Sequence, residues 1–372
     1  MTRTVTSQPS HTHDVSPPTS SYGQPQAQDT AAPVQPMLHG LRDFGVGRRG
    51  GPSTSALASG GNVIQRVKSK IKGFDDEETE SEINYDPAKQ LSQGAEGTVH
   101  VGKIGKRKVI VKVAKPVGEL GTQNEIGILG KVRPGPHIVG AIGHGKTAGG
   151  SSVVVLNKAD HSLNNQLPKD IHRRLNLALG TGRGLQSLHD QDITHGDLNL
   201  KNILSTNGEA QLTDFGAAAD FSNSDSIQLP LDPGLAAMGI QPETIHKDAT
   251  KLKDRKDFRK AAVNILRGNK ANDEFDGDAI DALEKSLSLK GLSKASITPI
   301  IKFARKQNPT EDDHADFVKA AHLTVERNRL MKQLEATPTG GKNKKKNKEY
   351  KAARLAIQSK LSANKKALAE LS

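Results

Sequence analysis

The sequence predicts an α+β chain in two lobes, a small β-rich one followed by a helical one, with a leader in front and a basic helical tail behind. Three observations lead there. From about Lys89 to Ala159 the large apolar residues are mostly β-branched and alternate or cluster around glycine turns, as strands and hairpins require. After Gly216 the apolar residues recur instead at helical spacing. Strands first and helices later is the order of an α+β fold, and 372 residues suffice for one large domain with tails.

The leader comes first. Residues 1–65 hold seven of the eighteen prolines, are rich in Ser, Thr, Gln and Gly, and carry few large apolar groups. Such a stretch buries too little surface to offset its ordering entropy. It is expected to be disordered, and the leader is assigned to residues 1–85. No acidic residue precedes Asp14, and the apolar core of a Sec-type signal is missing. That composition fits a flexible tail and a bacterial secretion signal equally.

The strands follow. KQLSQGAEGTVHVGKI (89–104) and RKVIVKVAK (107–115) read as strand, hairpin and strand, and SSVVVLNKA (151–159) as a further strand. RRLNLALGTGRGLQSLHDQ (173–191) has the leucine period of a helix. Two short strands then bracket the turn NGE (207–209). Helices are expected at 257–267, 277–287, 296–306, 312–334 and 350–371. TPTGGKNKKKNKE (337–349) interrupts the pattern before the last of them.

Bulk composition excludes some classes. The apolar fraction is 34%, the aromatic fraction 3% and Trp is absent, low for a chain folded throughout. No apolar run reaches the length of a membrane span. Without cysteine there is no disulfide, thiolate metal site or cysteine nucleophile. The net charge is +12, and residues 342–372 supply most of it, with ten Lys/Arg against two acidic residues. Such a tail favours anionic membrane, nucleic acid or acidic proteins. Apart from Tyr350 no aromatic residue is interleaved with its cations, so a base-stacking platform, and with it specific nucleic-acid binding, is not expected.

The chemistry is concentrated in ITHGDLNLKNIL (193–204) and LTDFGAA (212–218). Moving the γ-phosphoryl group of a nucleoside triphosphate needs hard oxygen ligands for Mg²⁺, a carboxylate to orient the attacking hydroxyl, and a lysine on the phosphates. Asp197 and Asn202 stand five apart, and Asp214 follows after a short hairpin. These residues resemble the catalytic loop and DFG motif of the protein kinase superfamily. Upstream, LSQGAEGTV (91–99) resembles the glycine-rich loop, with Ser92 in place of its first glycine. VIVK (109–112) resembles the lysine-bearing strand, and TQNEIGILGKVRPGPHIV (122–139) the regulatory helix and the strand after it. Downstream, GIQPETI (239–245) resembles the A-P-E box, KDFRKAAVNILRG (256–268) the central helix of the large lobe, and KQNPTEDD (306–313) the last box of the domain.

The resemblance implies a bilobal protein-kinase-like fold over residues 86–322, with lobes of about 86–158 and 159–322 and a Lys-rich tail from 323 to 372. It implies ATP and Mg²⁺ as cofactors. Gly94, Gly97 and Val99 would cover the nucleotide, Lys112 would hold the α- and β-phosphates, and Glu125 would pair with Lys112, with Glu119 as the alternative partner. Asp197 would be the base, Asn202 and Asp214 the metal ligands, and Lys201 a cation reaching the transferring phosphate. His195 would hold the loop, and Asp257 would brace its backbone.

Departures from the family pattern carry expectations too. Gly196 replaces the arginine that usually meets a phosphorylated activation-loop residue, so activity without such phosphorylation is expected. Asp312 stands where an arginine usually pairs with the A-P-E glutamate, leaving Glu243 to find Arg305 or solvent. The acceptor is expected to be a protein hydroxyl, Ser/Thr by default. The rivals are a small-molecule phosphotransferase of the aminoglycoside or choline kinase type, and a catalytically silent pseudokinase scaffold. Leader, kinase-like core, HGD loop and basic tail together resemble bacterial type III secretion effector kinases, which implies a secreted protein acting on host-cell proteins. The cations Lys342–Lys348 form the expected contact with an anionic surface.

Overall fold

Alternating side chains close the first lobe into a barrel. The computed structural model describes residues 67–74, 80–231, 233–269, 275–340 and 343–371. Six antiparallel strands, β1 (Val67–Gly73), β2 (Glu80–Gln93), β3 (Gly97–Ile104), β4 (Arg107–Ala114), β5 (Ala141–Lys146) and β6 (Ser152–Asn157), pair in the order β1-β2-β3-β4-β6-β5, and β5 closes on β1. Ile71, Ile83, Tyr85, Val109, Val111, Val153 and Val155 point inward and form the barrel core. Pro87 lies where the β2–β3 register shifts between Tyr85 and Gln90, a place where a missing N–H costs no ladder bond. Val154 and Leu156, on the other face of β6, join the core of the second lobe. A strand buried on both faces has to be apolar throughout, hence the run VVVL.

Between β4 and β5 a 3₁₀ turn (Pro116–Gly118) leads into helix α1 (Glu119–Leu129). The second lobe begins with β7 (His161–Ser162) and α2 (Ile171–His189), the latter capped by Asp170, whose carboxylate accepts from the Arg173 N–H. Then come β8 (Ile193–Thr194), a 3₁₀ turn (Leu200–Asn202), and the hairpin of β9 (Ile203–Thr206) and β10 (Glu209–Leu212). Its turn residues Asn207 and Gly208 both have positive φ, 53° and 83°, as a two-residue hairpin loop demands. A 3₁₀ turn (Phe215–Ala217) and β11 (Ala219–Asp220) lead to β12 (Ser226–Gln228), α3 (Pro233–Ala237) and β13 (Thr244–His246), β12 pairing with β13. Helices α4 (Lys247–Arg267), α5 (Gly277–Leu289), α6 (Lys294–Arg305), α7 (Glu311–Ala336) and α8 (Lys344–Glu370) complete the chain. Phe258, Phe303, Phe317 and the imidazole of His314 form one ring cluster where α4, α6 and α7 meet. Among the described residues no helix is long and apolar enough to cross a membrane.

Several expectations need correction. The leader was assigned through residue 85, but Val67–Gly73 and Glu80–Gln93 are barrel strands. Their outward positions are charged, so KSKIKG and ESEINY look like solvated chain although Ile71, Ile83 and Tyr85 are buried. Residues 1–66, which carry the secretion-signal expectation, lie outside the described residues. The boundary at 322 falls inside α7, which continues to Ala336. The basic tail is no separate unit: on α8 Leu368 is buried, Asn364 Nδ2 donates to the Leu323 carbonyl, and Arg354 donates to those of Leu334 and Thr337. Helix α4 starts ten residues before the expected position because its first turns, KDATKLKDRK, are polar nearly throughout.

Candidate active site

Lys112 stands on β4 directly across the ladder from Val99 on β3. Its ammonium donates to Glu125 Oε2 at 2.5 Å and to Asp214 Oδ1 at 2.9 Å. Three residues from separate parts of the chain thus meet on one cation. Burial works against the lysine charge, but the two carboxylates and their hydrogen bonds outweigh it and raise the Lys112 pKa above the ordinary lysine value. Glu125 on α1 is 1% exposed, and burial pushes its pKa up. Glu119, the alternative partner, lies one and a half turns earlier and accepts instead from Ser152 and Gln123.

A second cluster lies on the 193–204 loop. Asn202 Nδ2 donates to the Asp197 carbonyl at 2.8 Å and to Asp197 Oδ2 at 3.1 Å. With its nitrogen engaged, the Asn202 amide has its oxygen left for a hard cation. The clusters are joined through Thr213. Its N–H donates to the Asn202 carbonyl at 3.0 Å, and its own carbonyl accepts from His195 Nε2 at 3.1 Å. Asp214 follows with φ 67°, a left-handed conformation that costs a non-glycine residue about 1–2 kcal/mol. The bonds at Thr213 and Lys112 hold it there. His195, fully buried against Phe215, braces the loop.

Asp254, not Asp257, braces the loop backbone. The Asp254 carboxylate on α4 accepts from the His195 N–H at 2.7 Å, the Gly196 N–H at 2.8 Å and His189 Nε2 at 3.0 Å. Burial alone would raise its pKa, but these partners hold it below the usual carboxylate range. Asp257 instead accepts from Lys253, whose ammonium also donates to the Gly196 carbonyl. Arg305 does not meet Glu243; it pairs with Asp281 and Glu284. Lys201 is exposed, its backbone N–H donating to Asn199 Oδ1. The structure brings its ammonium into no hydrogen bond or ion pair with the described site residues.

The glycine-rich loop is a tight hairpin, with the Gly94 N–H donating to the Gly97 carbonyl at 3.0 Å. Lys115 ties it down from below: its ammonium donates to the Gly94 carbonyl and its N–H to the Glu96 carbonyl. A Cβ on Gly97 would lie 2.6 Å from the Val113 carbonyl oxygen, so only glycine lets β3 and β4 approach here. Gly94 is exposed and Val99 half-buried.

The donor set suits a magnesium nucleotide. It offers an ammonium, a half-exposed carboxylate at Asp214, an amide oxygen at Asn202 and a glycine hairpin. Asn202 and Asp214 would hold the metal and Lys112 the phosphates. Sequence reasoning missed Lys115, Asp254 and Asn124, whose amide nitrogen meets the carbonyls of Phe215, Gly216 and Ala218. Nothing in their spacing marks them.

Residues 85–250 match the protein kinase domain family. A provisionally named serine/threonine-protein kinase of Acanthamoeba polyphaga mimivirus is 28% identical over 160 residues, 38% of this chain and 29% of that protein. A serine/threonine-protein kinase-like protein of Arabidopsis thaliana is 25% identical over 192 residues, 42% of this chain and 54% of that protein.

Proposed function

With a protein kinase domain matched over residues 85–250, we propose that the chain transfers the γ-phosphoryl group of ATP to a serine or threonine hydroxyl of a protein. One observation carries this reading: Glu125 and Asp214 converge on the Lys112 ammonium, and Thr213, next to Asp214, is bonded to the loop that carries the Asp197–Asn202 pair. Bound Mg-ATP supplies the electrophilic phosphorus and neutralises the charge that develops on it. The protein contributes position. Lys112, kept protonated by its two carboxylates, fixes the phosphates. Asp197, held by Asn202 and by a loop backbone bonded to Asp254, orients the acceptor hydroxyl and takes its proton. The acceptor oxygen gains a bond to phosphorus, and ADP leaves with the electrons of the broken bond.

Incubation with radiolabelled ATP and a host-cell lysate, beside an Asp197→Asn variant, tests the reading. Labelled protein with the wild type and none with the variant is expected; equal labelling removes the mechanism. Labelled small molecules without labelled protein would favour a small-molecule phosphotransferase. Nucleotide binding with no transfer would favour a scaffold.

Two further parts of the reading rest on composition. The Ser/Thr/Gln/Pro-rich leader supports a bacterial effector delivered to host cells, tested by fusing residues 1–66 to a translocation reporter; retention of the reporter in the bacterium overturns it. Exposed Lys344, Lys345, Lys346 and Lys348 at the start of α8 support contact with an anionic surface; Lys342 lies outside the described residues. Association with anionic vesicles should weaken steeply with salt, and salt-insensitive association argues against it.

A further inference from the structure

The turn that carries Asp214 is gripped from two sides by groups that carry no phosphate. On one side stands α1. The Asn124 amide nitrogen lies 2.8 Å from the Ala218 carbonyl, 3.0 Å from that of Gly216 and 3.4 Å from that of Phe215. The next residue, Glu125, accepts from the Phe215 N–H with the oxygen not bonded to Lys112. One turn earlier the helix backbone passes close to the turn, where a Cβ added to Gly216 would lie 3.4 Å from the Gly121 carbonyl oxygen. Just beyond the helix, Lys131 pairs with Asp220 at 2.7 Å.

On the other side stands the catalytic loop. Gly196 has φ +78°, and a Cβ there would lie 2.0 Å from the Ala217 carbonyl oxygen. No residue larger than glycine fits, so an arginine at this position is excluded by packing as well as by sequence. The loop reaches the turn through backbone contact, where the family's usual device is a charged side chain meeting a phosphate.

From this geometry we propose that Asn124 is a positioning residue. With Gly196 it latches the Phe215–Ala218 turn and so holds Asp214 in its metal-binding position without phosphorylation. The inference rests on the kinase reading for its consequence, but the latch can be read without catalysis. Three carbonyls crowded on one amide act as its acceptors, and only a donor can serve them. Leucine has nearly the same size and no donor. Glutamine keeps the donor on a longer arm.

The full chain is compared as wild type, Asn124→Leu and Asn124→Gln, each with and without phosphatase treatment. Amide exchange at Phe215 and Ala218 is followed by mass spectrometry, and transfer to casein is measured against Mg²⁺ concentration. In the leucine variant, exchange at these amides should speed by about tenfold or more, and the Mg²⁺ needed for half-maximal rate should rise about tenfold. Glutamine should restore part of both, the melting temperature should move little, and phosphatase should change neither readout in the wild type. Unchanged exchange in Asn124→Leu, or a turn protected only after phosphorylation, overturns the latch. Should the leucine variant not fold, Asn124→Ser, with a side chain too short to reach all three carbonyls, gives the same comparison. A wild type with a protected turn but no transfer refutes the kinase reading alone, so the two failures are distinguishable.

Discussion

At the scale of single residues, chemistry left little choice at five positions, and those five were legible. A carboxylate and an amide five apart, a second carboxylate after a hairpin, and a lysine on a β-branched strand with a glutamate on the next helix each have a distinct task in the proposed transfer. Asp197→Asn should lower the transfer rate by about 10²–10⁴-fold with little change in melting temperature, checked by single-turnover labelling and thermal denaturation. Lys112→Met leaves the buried Glu125 carboxylate without its cation. It should cost about 3 kcal/mol in urea unfolding and abolish nucleotide binding. Asp254 was not legible, because it sits three residues before Asp257 on the same helix and both are acidic. Which of them faces the loop is decided by the rotation of α4 against β8, and periodicity does not encode that. Asn124 was hidden for another reason: an amide among backbone carbonyls has no counterpart in the sequence. A third test concerns His314. Burial against Phe258 drives its pKa down to about 4 from 6.5, with its Nε2–H donated to the Gly182 carbonyl. The imidazole is therefore neutral when folded, while an unfolded one charges near 6.5. Between those values the unfolded chain binds more protons, so stability should fall as pH drops from about 6.5 toward 4, by about 3 kcal/mol in all. Urea unfolding at several pH values should show this slope, and His314→Gln should flatten it.

At the scale of elements, helices with an apolar stripe could be read to within a few residues and polar ones could not. Helix α5 was expected at 277–287 and runs Gly277–Leu289, α6 was expected at 296–306 and runs Lys294–Arg305. Helix α8 begins six residues before its expected start, because KKKNKE has helical propensity without an apolar residue to mark its phase. Its register emerges only from packing, through half-buried Leu361 and buried Asn364 and Leu368 at helical spacing, with Asn364 bonded to the Leu323 carbonyl of α7. Leu368→Ala should therefore destabilise the second lobe by about 2–5 kcal/mol in chemical denaturation. Mutating exposed Leu355 on the same helix to alanine should shift stability by less than about 0.5 kcal/mol. Equal costs at the two positions would mean that α8 does not pack as described.

At the scale of the whole molecule, the order of strands and helices announced two lobes, but the outer limits of the fold were misread because highly charged strands look like solvated chain. The family match covers 85–250, whereas the barrel is closed by β1 at Val67–Gly73 and the helical lobe runs on through α8. A fragment trimmed to the matched span would lose β1 and the start of β2, leaving β5 with a bare row of backbone donors and acceptors. It would also remove most of α4 together with α5, α6 and α7, and with them the whole Phe258 cluster, uncovering the face of α2 that packs against Phe258 and Val318. Such open edges and uncovered apolar faces recruit other chains. Expression of residues 85–250 should therefore yield insoluble or self-associating protein by size-exclusion chromatography, and a fragment beginning at residue 66 and ending after 371 should run as a discrete species. For anyone engineering this protein, the practical unit is set by where the sheet seals, and the seam lies upstream of every motif by which the chain is recognised.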